Sequence, residues 1–392
     1  MHIKSCSTYQ QHLLRPHRQY TICQTHLRQS SLQHCLLSKG HKSVAFQNPP
    51  PPERIVFSGI QPTGIPHLGN YLGALREWVR LQDQSDEGTR LFFSVVDLHA
   101  LTLPQKPSSL KTWRKQAFAA LLAVGLDPRR STIFFQSAVP AHTELNWILS
   151  TVASTGYLSR MTQWKSKLEL PADADLENPD ARSRLRLGLF SYPVLQAADI
   201  LVHRATHVPV GDDQRQHLEF TRYTANSFNH MYGYTFPSPE ALISPAKRIM
   251  SLKDPALKMS KSHIDEKSRI LLTDSYEAIH KKIKAARTDS NPIITYDPIK
   301  RPGVSNLLEI LSHLDGRPCS EIVTDHGFIS LLALKEHVAD RVSHHLAPIR
   351  ETLIGLLEGP SDHLDTIARE GAEAARLNAE ITMANTRRNL GL

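Results

Sequence analysis

The chain has 392 residues, of which 40% are hydrophobic and 21% charged, with 25 prolines and 18 glycines. That length suits a catalytic domain of about 200 residues with a smaller companion, and the composition excludes disordered and fibrous classes. The net charge is +8, but six basic residues and no acidic one precede Glu53, so a cationic leader is followed by a nearly neutral body.

Residues 1–52 carry Lys4, Arg15, Arg18, Arg28, Lys39 and Lys42 among Gln, Ser and His, with no apolar block of secretory type. An acid-free, Arg-bearing segment of this kind is expected to be a mitochondrial transit peptide, ending in the stiff proline-rich stretch 48–52. A basic tail that binds RNA or anionic lipid, or a chloroplast address, are the other readings of the same letters. Three of the four cysteines, Cys6, Cys23 and Cys35, lie in this leader; with Cys319 they show no C-x-x-C spacing, so neither disulfides nor a metal site is expected. No apolar run approaches the roughly 18 residues of a membrane-spanning helix, and no membrane partner is expected.

From Glu53 the pattern becomes globular. Residues 54–58 read as a short buried strand, 60–66 as a loop, and Leu68, Leu72, Leu75 and Val79 recur at helical spacing. A second strand is predicted at 91–97, a helix at 108–124 and a third strand at 132–136. Alternation of this kind predicts an α/β domain, a Rossmann-like doubly wound parallel sheet, because parallel neighbours need long right-handed crossovers. Ligands of such sheets sit at the carboxyl ends of the strands, which puts the chemistry just after Ser58, at Asp97 and His99, and near Val210 and Gly211.

The loop after the first strand contains PTGIPHLGN at 62–70. It is neither a Walker A loop nor a dinucleotide fingerprint. Its glycines permit close backbone approach, and the following helix N-terminus offers free N–H groups to an anionic ligand, although turn chemistry alone also uses these residues. Far downstream stands KMSKS at 258–262, two lysines three apart after Pro255; as bare letters this is also what an exposed surface turn looks like.

Taken together, PTGIPHLGN and KMSKS, about 190 residues apart, resemble the two signature segments of class I aminoacyl-tRNA synthetases. The resemblance narrows to the tryptophanyl-tRNA synthetases of bacterial and mitochondrial type. It is carried by FSGIQPTG at 57–64, VDLHA at 96–100, QSAVPAH at 136–142, RMTQ at 160–163, YPVLQAAD at 192–199, GDDQRQHLE at 211–219 and PGVSNLL at 302–308. Two departures are Asn70, at the second histidine of the first signature, and Gln196, where the bacterial tryptophan enzymes commonly carry Met.

The resemblance implies a ligase that activates L-tryptophan with ATP to the adenylate and transfers it to tRNA(Trp) in mitochondria. Lys258 and Lys261 would stabilise the leaving pyrophosphate, an electrostatic role. Gln61, Pro62, Thr63, His67, Gly69 and Asn70 would hold ATP, with Gln61 and His67 taking part in catalysis. Gly211, Asp212, Asp213, Ile249, Met259, Ser260 and Ser262 would complete the nucleotide site. Asp212 and Asp213 can also be read as a paired acid and base. Mg2+ would arrive with ATP, and no tightly bound cofactor is implied. Tyr192, Gln196 and Asp199 share one helical face and, with Gln214, would form the tryptophan pocket, Asp199 accepting the indole N–H. The same Asp could accept a phenol, as in tyrosyl-tRNA synthetases; an RNA-binding or splicing factor that kept the fold is a third reading.

The expected organisation is therefore a leader at 1–52, a catalytic domain at 53–262 and a helical anticodon-binding region at 263–392, ending in a long helix with a capping-type start at Ser361-Asp362. Lys281, Lys282, Lys284, Arg287, Arg387 and Arg388 are candidate phosphate contacts, or simply a solvated face. A homodimer is implied, with the apolar stretch 139–157 as its interface.

Overall fold

Five strands form one parallel sheet in the order β3-β2-β1-β4-β5, where β1 is Arg54–Ile60, β2 Thr89–Val95, β3 Thr132–Phe135, β4 His207–Val210 and β5 Glu240–Ile243. The computed structural model describes residues 53–211, 214–243, 248–261 and 263–392; the expected transit peptide lies outside these. The described residues from Glu53 onward form one compact unit.

Side-chain alternation divides the interior between the two faces of the sheet. Val56, Phe93 and Ile133 point into one core; Ile55, Phe57, Phe92 and Phe134 point into the other. Both faces are covered by helices, which explains why β2 reads as a continuous apolar run rather than an alternating one. The first core contains Leu68, Leu72, Leu75 and helix Pro107–Ala123, and continues without interruption into Leu307, Leu311, Val338 and Leu346 of the later helices. The expected helical region is present as Tyr276–Lys284, Pro302–Asp315, Cys319–His326 and Leu331–Glu358.

The final helix, Ser361–Leu390, packs against β3. Its Leu364 and Ala368 lie in the first core, and Ala372, Ala375, Ala379 and Met383 in the second. Gly371 marks the passage between them, where a Cβ would lie 1.9 Å from the Ile133 carbonyl oxygen. Glycine is required here by close approach rather than by backbone conformation. The helix begins at Ser361, where the sequence placed its start, with Pro360 in the cap position and Asp362 in the first turn. Two of the candidate phosphate contacts are already committed, Lys282 to Asp274 and Arg387 to Glu144 and Glu380. Among the described residues no helix is long and apolar enough to cross a membrane.

Candidate active site

The sheet order reverses between β1 and β4, and such a switch point opens a crevice at the carboxyl ends of the strands. A cavity of about 980 Å³ occupies it, the upper end of the ~300–1,000 Å³ usual for small-molecule sites. Ser58, Gly59 and Ile60 line it from β1, Val208 to Gly211 from the end of β4, and Tyr192, Gln196, Asp199 and Ile200 from helix Leu187–Val202. The face predicted from i, i+4, i+7 spacing does line one wall. Of the expected residues, Gln61, Gly69, Asn70, Gln214, Ile249 and Lys258 also line the cavity.

Others are placed differently. His67 is buried, and caps the helix beginning Leu68–Asn70: its Nδ1 accepts from the Asn70 N–H at 3.2 Å while Asn70 Oδ1 accepts from the His67 N–H at 3.1 Å. Burial, with Lys261, Lys258 and Arg269 nearby, lowers its pKa to about 3, so the ring is neutral and its hydrogen sits on Nε2. A π turn, Tyr71–Leu75, follows at once and continues into helix Arg76–Gln84, an irregularity frequent at functional sites.

The second signature is anchored rather than free. Leu257 accepts from the Ser251 N–H and Met259 donates to the Ile249 carbonyl, burying Met259 in the first core instead of the cavity. Lys258 is exposed and faces the cavity. Lys261 donates to the Gly64 carbonyl at 2.8 Å, joining the two signature loops, and burial lowers its pKa to about 8. Pro62, Thr63 and Ser260 are not among the lining residues; Asp212, Asp213 and Ser262 lie outside the described residues. Asp97, expected at the site, begins the short helix Asp97–Ala100 and is turned away from the cavity into an ion pair with Arg114 and hydrogen bonds from the Ser137 N–H and hydroxyl.

Asp199 is 1% exposed, yet lines the cavity. Its Oδ1 accepts from Gln136 Nε2 and His142 Nδ1, both at 2.7 Å, and its Oδ2 from His99 Nε2 at 2.8 Å. Burial alone would raise its pKa; the hydrogen bonds from His142 and His99 outweigh that and hold it at about 2. An ionised carboxylate has about four acceptor sites, so three are filled and one remains for a single donor. Tyr192 offers no second donor of that kind: its hydroxyl is engaged by Gln163 at 2.7 Å and His217 at 2.6 Å, and burial raises its pKa. Gln136, His142, Gln163 and His217 stand inside the segments that carry the resemblance, but nothing in their spacing singled them out.

His203, behind Asp199, is buried among Phe57, Phe92 and Phe134, and its pKa is lowered to about 3 by burial and by His142. His67 and His203 thus take up protons in the unfolded chain near 6.5 but in the folded chain only near 3. Their contribution to stability is complete above pH 6.5 and is lost as pH falls toward 3. Urea midpoints should decline steadily between pH 7 and 4, and His203→Phe, which suits the aromatic surroundings, should flatten part of that decline.

A family model described as class I tRNA synthetases (W and Y) matches residues 52–344. The chain is 44% identical over 343 residues to the mitochondrial tryptophan–tRNA ligase of Saccharomyces cerevisiae, covering 86% of this chain and 90% of that protein. It is 43% identical over 353 residues to the tryptophan–tRNA ligase of Caulobacter vibrioides, covering 89% and 97%. Among solved structures, the tryptophanyl-tRNA synthetase of Mycoplasma pneumoniae is similar with a TM-score of 0.76 at 33% identity, covering 87% of this chain and 98% of that one. That of Campylobacter jejuni, complexed with ADP and tryptophan, has a TM-score of 0.70 at 32% identity, covering 86% and 100%.

Proposed function

Because the chain belongs to the class I tRNA synthetases for tryptophan and tyrosine, we propose that it activates L-tryptophan with ATP and transfers it to tRNA(Trp) in mitochondrial translation. The choice of tryptophan over tyrosine is supported by the 43–44% identity to tryptophan–tRNA ligases, and the rejection of phenylalanine by the buried, ionised Asp199, which lines the cavity with one acceptor site unfilled. An indole N–H fills that site. Phenylalanine leaves it unmet, which costs the full desolvation of a charged acceptor.

In the first step an oxygen of the tryptophan carboxylate bonds to the α-phosphorus as the bond to the β-phosphate oxygen breaks and pyrophosphate leaves. In the second, a hydroxyl of the 3′-terminal ribose attacks the acyl carbon, its proton passing to the phosphate oxygen that leaves, and AMP departs. Neither step requires covalent help from the protein, only alignment and neutralisation of charge. Gly69 and Asn70 at the helix N-terminus are assigned to the phosphates, with Gln61. Pro62 and Thr63 belong to the same loop, and Ile249 is assigned to the adenine. His67 supports this loop as a neutral cap. Lys258 and Lys261 are assigned to the developing pyrophosphate; Mg2+ arrives with the nucleotide. Gly211 and the adjoining Asp212 and Asp213 are assigned to ribose and adenine, and Gln196 and Gln214, 3.4 Å apart, to the wall of the amino-acid pocket.

Residues 1–52 are assigned as the transit peptide that delivers the protein to the mitochondrial matrix. The helical region 263–392 is assigned to the anticodon arm of tRNA; its final helix also packs on the sheet. A homodimer is proposed through the stretch 139–157, where Trp147 stands 73% exposed on helix Ala141–Ser150. The test of the activity is exchange of labelled pyrophosphate into ATP with Trp, Tyr and Phe compared. Exchange with Trp alone is expected; exchange with Tyr would transfer the proposal to the sister specificity, and none with any amino acid would favour an RNA-binding role.

A further inference from the structure

Asp199 is connected to the final helix by a line of buried polar groups. His142 Nδ1 lies 2.7 Å from Asp199 Oδ1, and His142 Nε2 lies 3.3 Å from His203 Nε2. His203 Nδ1 in turn meets the side-chain amide of Asn378 at 2.9 Å. His142 and His203 are fully buried and Asn378 is 8% exposed. With its oxygen toward Arg90 the Asn378 amide accepts from Nη1 and Nη2 at 3.1 and 3.0 Å, and its NH2 then donates to His203 Nδ1.

The direction of every link follows. Arg90 can only donate, so the Asn378 oxygen must face it and the nitrogen must face His203. His203 therefore accepts on Nδ1 and carries its hydrogen on Nε2, which it donates to His142 Nε2. His142 must then carry its hydrogen on Nδ1, the atom that donates to Asp199. The low pKa of His203 agrees with a ring that carries a single hydrogen.

We propose that Asn378, on the final helix, is a positioning residue for amino-acid selection: through His203 and His142, whose ring orientations are fixed by the hydrogen bonds on either side, it sets the Asp199 carboxylate to receive one N–H donor. This rests on the assignment of Asp199 to the tryptophan pocket. Asn378 touches no substrate, and the relay transfers no proton in the reaction.

Asn378→Asp tests it, because the new side chain keeps nearly the same volume and the Arg90 partner but lacks the N–H. The KM for tryptophan in pyrophosphate exchange should rise about tenfold, the equivalent of one hydrogen bond to a charged group, while kcat and the KM for ATP stay within about twofold. Benzothienylalanine, in which sulfur replaces the indole N–H, should bind wild type and variant equally. A parallel weakening of the analogue and tryptophan, or an unchanged KM for tryptophan, would overturn the relay. A wild-type protein that binds the analogue as well as tryptophan would instead overturn the pocket assignment beneath it. Should the variant fail to fold, imidazole nitrogen NMR shifts of the labelled wild-type protein decide: hydrogen on Nε2 of His203 and on Nδ1 of His142 is required, and the opposite tautomers exclude the proposal.

Discussion

Replacement of both Lys258 and Lys261 by alanine is expected to lower tryptophan-dependent pyrophosphate exchange about ten-thousand-fold, each lost cation contributing on the order of a hundredfold. The two differ in setting. Lys258 is exposed at the mouth of the cavity, so its removal should leave the melting temperature and the KM for tryptophan unchanged and act on kcat. Lys261 is partly buried against the Gly64 carbonyl with a pKa of about 8. Above that pH it is neutral in the free protein and supplies no charge, so kcat/KM for ATP should fall as pH rises through about 8. Lys261→Arg keeps its charge throughout this range and should remove the fall. A double variant within tenfold of wild type in exchange assays would remove both lysines from the chemistry.

Asp199→Asn should lower kcat/KM for tryptophan about a thousandfold. The substitution preserves volume but replaces an acceptor-only group by an amide with one oxygen and one NH2. Three donors, from Gln136, His142 and His99, converge on the carboxylate. In either orientation the amide NH2 meets at least one of them head-on, and the acceptor site facing the cavity weakens or inverts. Two losses combine, each costing about 1.5–3 kcal/mol for a charged hydrogen bond. Discrimination against phenylalanine should shrink with the same substitution, since the buried acceptor that rejects it is gone. Exchange kinetics with both amino acids, paired with a circular dichroism melt to establish folding, measure this; unchanged discrimination in a folded variant would detach Asp199 from recognition.

The first three strands were legible from the sequence because side chains facing two buried layers leave apolar runs bounded by turn residues, although the run read at 91–97 forms a strand at Thr89–Val95 and the short edge strand Glu240–Ile243 gave no such run. The helix bearing Tyr192, Gln196 and Asp199 was legible in part from spacing, but its role was legible only from resemblance. His203 and Asn378 gave no signal. A histidine after an apolar helix and an asparagine among alanines each read as ordinary core or surface, and their partnership across 175 positions exists only in three dimensions. The final helix is similar: its small residues at 368, 371, 372, 375 and 379 announce close packing without saying against what. Asp97 misled for the opposite reason, since a carboxylate at a strand end is equally suited to a ligand and to the Arg114 pair it makes.

The crossing of the sheet edge by helix Ser361–Leu390 also orders events in time. Every strand is synthesised before this helix, so β3 waits as a bare edge with unpaired N–H and C=O groups while the rest of the chain is made. Pairing of sequence-distant parts is slow, because loop closure must precede the reward of contact. Edges left open in that interval are where chains join one another wrongly. Gly371, at the close approach to Ile133, and Asn378 stand on the same helix, so docking of the helix on the sheet also brings Asn378 to His203. With the proposed role of Asn378, a chain stalled before the helix docks would lack both the cover of its sheet edge and the group that sets Asp199.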